Sequence, residues 1–275
     1  MTRLVRPVLK WAGGKSRSLP NILAALPERI DTYYEPFIGG AAVFFALASE
    51  KRFKKAVLGD RNAALIELYC HLQQDPEGII KVLRTYVHNQ DEYYRIRSLD
   101  PQTLDPSERA ARMIFLNKTG YNGLYRVNSR GEFNVPFGRY KKPNFLDEEN
   151  LMLASRALAR VKIMEGDFDA VSRRAKPGDA VYFDPPYDPV SKTANFTAYH
   201  HVDFGREDHE RLKNAFDRLA ARGVAVVLSN SDTEFTNRLF KDWKPKKIDV
   251  SRPINSKATH RGSVRELLVV SQARK

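Results

Sequence analysis

Residues 181–189 read VYFDPPYDP and pair a carboxylate with two prolines and an aromatic ring. Pro185 and Pro186 keep their carbonyls but have no N–H, and each locks one φ angle. Between Asp184 and Tyr187 the chain therefore offers acceptors only, in fixed geometry. An exocyclic amino group on a planar base carries two donors and matches such a corner, while Tyr187 can stack on the base. The amine is a poor nucleophile because its lone pair is delocalised into the ring. Two acceptors aimed at its hydrogens favour a more pyramidal nitrogen and stabilise the positive charge that develops as it attacks a methyl group. No strong general base is required at first, since the alkylated amine is acidic enough to lose a proton afterwards. An ordinary Asp-Pro turn at a strand end is the bland alternative.

Several short β-rich runs end in a polar residue, and these must position the corner. Glu35 follows Tyr33-Tyr34, Asp60 follows Ala56-Val57-Leu58, and Asp167 follows residues 161–164. Asp184 follows residues 181–183, and Asn230 follows residues 224–228. Unbroken Val/Ile/Leu runs indicate strands buried on both faces. Apolar spacing near 3.6 predicts helices over residues 16–26, 41–50, 146–160 and 206–222. Alternating strands and helices imply a parallel α/β sheet, whose ligands bind beyond the carboxyl ends of the strands. Four strand-end acids are thus expected in one crevice. KKIDVSR (246–252) and RELLVVSQ (265–272) read as a closing antiparallel pair.

Residues 62–117 break the alternation and read as helical. Pro76 suits a first helical turn and Asp75 its cap. Residues 118–142, KTGYNGLYRVNSRGEFNVPFGRYKK, carry six positive charges against one acid, Glu132. Tyr121, Tyr125, Phe133, Phe137 and Tyr140 are interleaved with them, and Asn122-Gly123 and Ser129-Arg130-Gly131 mark loops and a hairpin. Lys and Arg can neutralise phosphates, Arg can read guanine, and planar rings can wedge between or stack on bases. The alternative is a solvated hairpin with its rings turned inward. The block from 62 to 145 reads as a lobe inserted into the sheet domain.

The whole chain of 275 residues carries 46 Lys and Arg against 33 Asp and Glu, a net charge of +13 that suits a polyanionic partner. Cys70 is the single cysteine, which excludes an internal disulfide and a cysteine-based zinc site and fits a reducing, cytoplasmic setting. The opening MTRLVRPVLK lacks the apolar core of a signal peptide, and no run approaches the ~20 apolar residues of a membrane span. LKWAGGKS (9–16) ends like a phosphate-binding loop, but that motif needs glycine where Leu9 stands. His200, His201 and His209 near Asp203, Asp208 and Glu210 match no zinc spacing, and no metal is expected.

The chain resembles the DNA adenine methylase (Dam) family of N6-adenine methyltransferases nearly end to end. The matching motifs are LKWAGGK (9–15), EPFIGG (35–40), GYNGLYRVNSRGEFNVPFGRYKKP (120–143), GD (166–167), DPPY (184–187) and ANFTAYH (194–200). DPPY alone is moderately specific, whereas the set together is very specific. The resemblance implies an α/β, Rossmann-like S-adenosylmethionine-dependent methyltransferase sheet with an inserted helical and hairpin DNA-recognition domain. Residues 1–61 and 146–275 would be catalytic, and residues 62–145 would recognise the target. It implies S-adenosyl-L-methionine as methyl donor and GATC in double-stranded DNA as substrate, reached by base flipping, in an enzyme compatible with a monomer.

By motif position, Trp11 and Lys15 would line the cofactor site, together with Glu35 at the first strand end. Phe37 and Gly39 would pass the methionine part, Asp60 would hold the ribose, and Asp167 and Phe168 would flank the adenine. Asp184 would border the cofactor and bind the target amine, with Pro185, Pro186 and Tyr187 completing the pocket. Lys10, Asn122, Leu124, Pro136, Arg139 and Tyr140 would contact DNA, with Arg126 on a guanine and Tyr121 inserted into the stack. The family pattern F-x-G-x-G is changed here, since Phe37-Ile38-Gly39-Gly40-Ala41 has its second glycine one place earlier.

Two other readings compete. A cytosine-N4 methyltransferase handles the same kind of amine but more often has Ser in place of Asp184, and protein or RNA methyltransferases usually have Asn there. A DNA-binding module without catalysis would have no use for an intact DPPY corner and a full set of strand-end acids.

Overall fold

A computed structural model describes residues 4–189, 204–250 and 264–271. ANFTAYH, His200, His201 and Asp203 lie outside them. Seven strands, β1 (Ile30–Glu35), β2 (Phe53–Asp60), β3 (Val161–Glu165), β4 (Ala180–Phe183), β5 (Ala225–Ser231), β6 (Lys246–Val250) and β7 (Val264–Val270), form a sheet in the order β3-β2-β1-β4-β5-β7-β6. The β1–β2, β1–β4 and β4–β5 pairs are parallel, whereas β7 pairs antiparallel with both β5 and β6. The closing pair expected from KKIDVSR and RELLVVSQ is thus present. Strand order reverses between β1 and β4, which creates the switch point where open α/β sheets bind ligands.

Two compact units share the chain. One comprises residues 15–38, 51–59 and 166–275. Its core joins Tyr34, Val181, Phe183, Phe216, Val226, Leu228, Phe240 and Val269. All four residues of β4 are buried, which explains its unbroken apolar run. Helices α1 (Leu19–Ala25), α8 (Phe168–Ser172), α9 (Arg206–Ala221) and α10 (Glu234–Leu239) belong to this unit. Asp179, 2% exposed, ties the start of β4 to its neighbours. Its two oxygens accept from the Thr32 and Lys176 amides, each at 2.9 Å.

The other unit comprises residues 1–14, 39–50 and 60–165. It holds α2 (Ala42–Ser49), α3 (Ala63–Gln74), α4 (Pro76–Leu83), α5 (Gln90–Ser98), α6 (Pro106–Thr119) and α7 (Glu148–Leu158). Each helix of the long helical block has a capping side chain at its start: Asn62 for α3, Asp75 for α4, Asn89 for α5, and an Asp105/Glu108 capping box for α6. Asp75 and Pro76 take the cap and first-turn positions their types suggested. Buried Arg112 donates to the Ile96 and Arg97 carbonyls at 3.0 and 2.7 Å and so closes the end of α5. The basic stretch forms the expected hairpin through antiparallel bridges Gly120↔Phe137 and Val127↔Phe133.

Replacing Asp179 with Ala strands two backbone donors. A loss of about 2–3 kcal/mol is expected, read as a lower denaturant midpoint at unchanged slope. An unchanged midpoint would mean the carboxylate does not hold β4 in place.

Candidate active site

Asp184 directly follows β4, and its side chain is one-fifth exposed. Lys15, whose side chain is 5% exposed, sets its Nζ 2.8 Å from Asp184 Oδ1. The Ser229 hydroxyl donates to the same oxygen at 3.1 Å. That leaves Ser229 Oγ to accept from the Tyr182 hydroxyl, 2.7 Å away. A directed chain therefore runs Tyr182 to Ser229 to Asp184, met from the other side by Lys15. Both contacts fall on Oδ1, and among the described residues Asp184 Oδ2 takes no hydrogen bond. Burial pushes the Asp184 carboxyl up, and Lys15 and Ser229 act against that shift.

The rest of the corner is clamped by the end of β5. Asn230 Oδ1 accepts the Asp188 amide at 3.1 Å, and Thr233 Oγ1 donates to Asp188 Oδ2 at 2.6 Å. Ser231 Oγ donates to the Asp188 carbonyl. Asn230 was expected at a strand end but lies inside β5, which runs on to Ser231 because β7 pairs with it that far. Pro185 is buried, Pro186 is exposed, and the Lys15 ammonium sits 4.8 Å from the centre of the Tyr187 ring.

Of the other expected cofactor residues, Glu35 ends β1, is 3% exposed, and accepts from the Tyr33 hydroxyl at 2.8 Å. Phe37 stacks on Phe168 at 5.7 Å. Phe168 is buried under Phe37 and Phe204. Asp167 caps α8 and accepts from Arg211 at 3.1 Å. In the other unit, Asp60 ends β2 and accepts from the amides of Gly39 at 3.3 Å and Asn62 at 3.0 Å. Trp11 stacks on Tyr125 at 5.2 Å. Gly39 has φ +44°, and a Cβ there would lie 2.8 Å from Trp11 Cδ1, so no side chain fits. The altered glycine pattern has a clear backbone consequence. Ala41, which stands where the family pattern has its second glycine, is left-handed with φ 56°.

The expected DNA residues gather in the unit that contains the hairpin. Buried Asn117 accepts from the Lys10 amide at 2.8 Å and donates to the carbonyls of Lys10 at 2.8 Å and Gly123 at 3.0 Å. It thereby pins Lys10 to the YNG turn. Lys10 Nζ lies over the Tyr140 ring at 4.5 Å, and the Tyr121 amide donates to the Pro136 carbonyl at 2.9 Å. Tyr121 is 54% exposed and Leu124 39%, unusual for large apolar side chains. Asn122 takes a left-handed φ of 54° at the exposed tip. Pro136 and Arg139 are exposed. Arg126 donates to the Asn134 side chain and carbonyl across the hairpin. Tyr125, Phe133 and Phe137 are half-buried and pack on neighbouring rings instead of facing out. A cavity of about 460 Å³ beside Lys10 is lined by Arg6, Lys118, Lys141 and Lys142 as well. Burial and the nearby Lys10 and Arg6 charges push the Lys118 ammonium down.

A family model described as D12 class N6 adenine-specific DNA methyltransferase matches residues 11–254. The chain belongs to this family of N6-adenine DNA methyltransferases. It is 42% identical to the type II methyltransferase M1.LlaDCHI of Lactococcus lactis subsp. cremoris, over 97% of this chain and 95% of that one. It is 41% identical to the type II methyltransferase M.MjaIII of Methanocaldococcus jannaschii, over 97% and 99%. It is 38% identical to the DNA adenine methylase of Escherichia coli K12, over 98% and 99%. Members of the D12 family are S-adenosylmethionine-dependent enzymes acting on DNA. In the unit that holds Asp184, the stacked rings of Phe37 and Phe168 suit a planar base of that cofactor, and in the other unit Asp60 at the end of β2 suits a diol and Gly39 admits no Cβ. No described helix is long and apolar enough to cross a membrane. Among the described residues no three His, Cys, Asp or Glu side chains could hold a metal.

Sequence reasoning missed Ser229, which a hydroxyl inside the apolar run VVLSNS could have signalled, and Asn117. The Ser229 hydrogen bond favours ionised Asp184, so Ser229→Ala raises the carboxyl pKa. The acid limb of the single-turnover pH profile is expected to move to higher pH. A limb that stays or moves to lower pH would remove Ser229 from the site.

Proposed function

We propose that this enzyme methylates adenine N6 in GATC sequences of duplex DNA after extruding the target base. The observation that carries the reading is the Asp184 carboxylate at the end of β4, with Oδ1 held by Lys15 and Ser229 and no hydrogen bond on Oδ2 among the described residues. S-adenosylmethionine supplies an electrophilic methyl group on a sulfonium sulfur. Asp184 Oδ2 and the Pro185 carbonyl accept the two N–H groups of the amine, and the ring of Tyr187 stacks on the base. Their negative ends face the nitrogen as positive charge develops there. Lys15 and Ser229 keep the carboxylate from rotating, and Pro186 keeps the corner rigid and free of donors.

Trp11, Lys15, Glu35, Phe37, Gly39, Asp60, Asp167 and Phe168 are assigned to the cofactor. Asp60 takes the ribose hydroxyls, and Asp167 and Phe168 take the adenine edge and face. Residues 62–145 serve as the recognition domain. Exposed Tyr121 and Leu124 suit insertion into a base stack. Arg126, already forked over Asn134, presents a guanidinium to a guanine. Lys10, Asn122, Pro136, Arg139 and Tyr140 complete the surface. The cationic cavity beside Lys10 suits phosphate, so binding should fall steeply with salt.

Asp184→Ala is expected to lower methyl transfer from labelled cofactor at least ~10²-fold while DNA binding persists. Near-normal turnover would refute the acceptor corner. Arg126→Ala is expected to cost about 1–3 kcal/mol of discrimination at one base pair. Equal weakening on every sequence would make Arg126 a phosphate contact.

A further inference from the structure

Arg211 on α9 touches both residues assigned to the cofactor's adenine and has no role of its own so far. Its Nη2 donates to Asp167 Oδ1 at 3.1 Å, and its guanidinium lies 5.1 Å from the centre of the Phe168 ring. Its Nη1 donates to Asp208 Oδ1 at 2.7 Å, one turn earlier on the same helix. Half of the side chain is exposed. An exposed arginine with one partner is loosely placed, whereas this one meets two carboxylates and a ring with both arms of its fork in use.

Asp167 needs such an anchor. It caps α8, a helix of five residues with little stability of its own. Its Oδ1 also accepts the Asp169 amide at 3.0 Å. That bond lies within the first turn of α8 and moves with it. Arg211 supplies a reference outside α8. It stands on α9, sixteen residues long, whose apolar face buries Leu212, Phe216 and Leu219 in the core. Two more arginines of α9 reach the same segment. Arg218 donates to Asp169, and Arg222 donates to the carbonyls of Arg173 and Ala175. Positions 211, 218 and 222 share one face of the helix. Of the three, Arg211 alone ends on residues assigned to the adenine.

We propose that Arg211 is a positioning residue for cofactor binding: by fixing the Asp167 carboxylate beside the Phe168 ring, it aims that carboxylate at the amino group of the cofactor's adenine. This rests on the assignment of Asp167 and Phe168 made above. A carboxylate that is free to rotate must be ordered when the ligand arrives, and that ordering subtracts from affinity. Arg211 orders it beforehand, from a helix held by the core. Arg218 makes the same kind of contact from the same helix to a carboxylate with no assigned ligand, so it separates positioning from mere attachment of α8.

The test is equilibrium binding of two unreactive probes, S-adenosyl-L-homocysteine and S-inosyl-L-homocysteine, which has a carbonyl in place of the adenine amine. Arg211→Met is expected to weaken the adenosyl compound about fivefold, the upper range for an exposed ion pair, and to leave the inosyl compound unchanged. Arg211→Lys should recover most of the loss, and Arg218→Met should bind both compounds as wild type does. Equal weakening of both compounds by Arg211→Met overturns the proposal, as does unchanged binding of both, or the same selective loss in Arg218→Met. Thermal unfolding checks each variant, and if Arg211→Met does not fold, Arg211→Gln is held to the same criteria. Wild type and Asp167→Asn that each bind the two compounds alike refute the assignment of Asp167 to the amine, and the proposal falls with it. That failure shows in wild type, whereas failure of the Arg211 role shows only in the variants.

Discussion

The site depends on one buried ion pair. An ammonium 5% exposed lies 2.8 Å from a carboxylate at the carboxyl end of the central strand. Neither charge is tolerable there alone, and breaking such a pair costs about 3–5 kcal/mol. The fold supplies both partners from fixed positions. Lys15 leads into α1, with its carbonyl accepting the Leu19 amide at 2.7 Å. Asp184 is delivered by β4, which is buried along its whole length. Ser229, from the adjacent parallel strand, donates to the oxygen that Lys15 holds.

In the proposed reaction that asymmetry gives the salt bridge a chemical use. A carboxylate oxygen without a donor on it keeps both lone pairs for an amine, and a carboxylate gripped at neither oxygen would be free to rotate. The two prolines that follow extend the same logic, since they contribute carbonyls and withhold donors. The hairpin unit works by other means. Asn117 fixes the backbone at Lys10 and Gly123, so apolar side chains at Tyr121 and Leu124 can stay exposed on a rigid turn. Burial of charge governs one unit, and exposure of apolar surface governs the other.

Much of this was legible in the sequence. Unbroken apolar runs marked the strands, and Glu35, Asp60 and Asp184 stand at the ends that those runs predicted. The cap at Asp75 follows a local rule that needs no tertiary information. What was not legible depends on partners distant in sequence. Ser229 looks like a stray polar residue in an apolar strand until parallel pairing sets it beside Asp184. The five aromatics of the basic stretch look equivalent in sequence. Hairpin register turns Tyr125, Phe133 and Phe137 inward and leaves Tyr121 out. The shifted glycine is a similar case, because the backbone at position 41 is left-handed with an alanine in it.

The most direct test of the account is a ternary crystal structure with S-adenosylhomocysteine and a GATC duplex. The account predicts an extruded adenine whose N6 lies about 2.7–3.2 Å from both Asp184 Oδ2 and the Pro185 carbonyl, with Lys15 and Ser229 still on Oδ1. An amine bound at Oδ1 with Lys15 displaced, or held by groups other than Asp184, would contradict it.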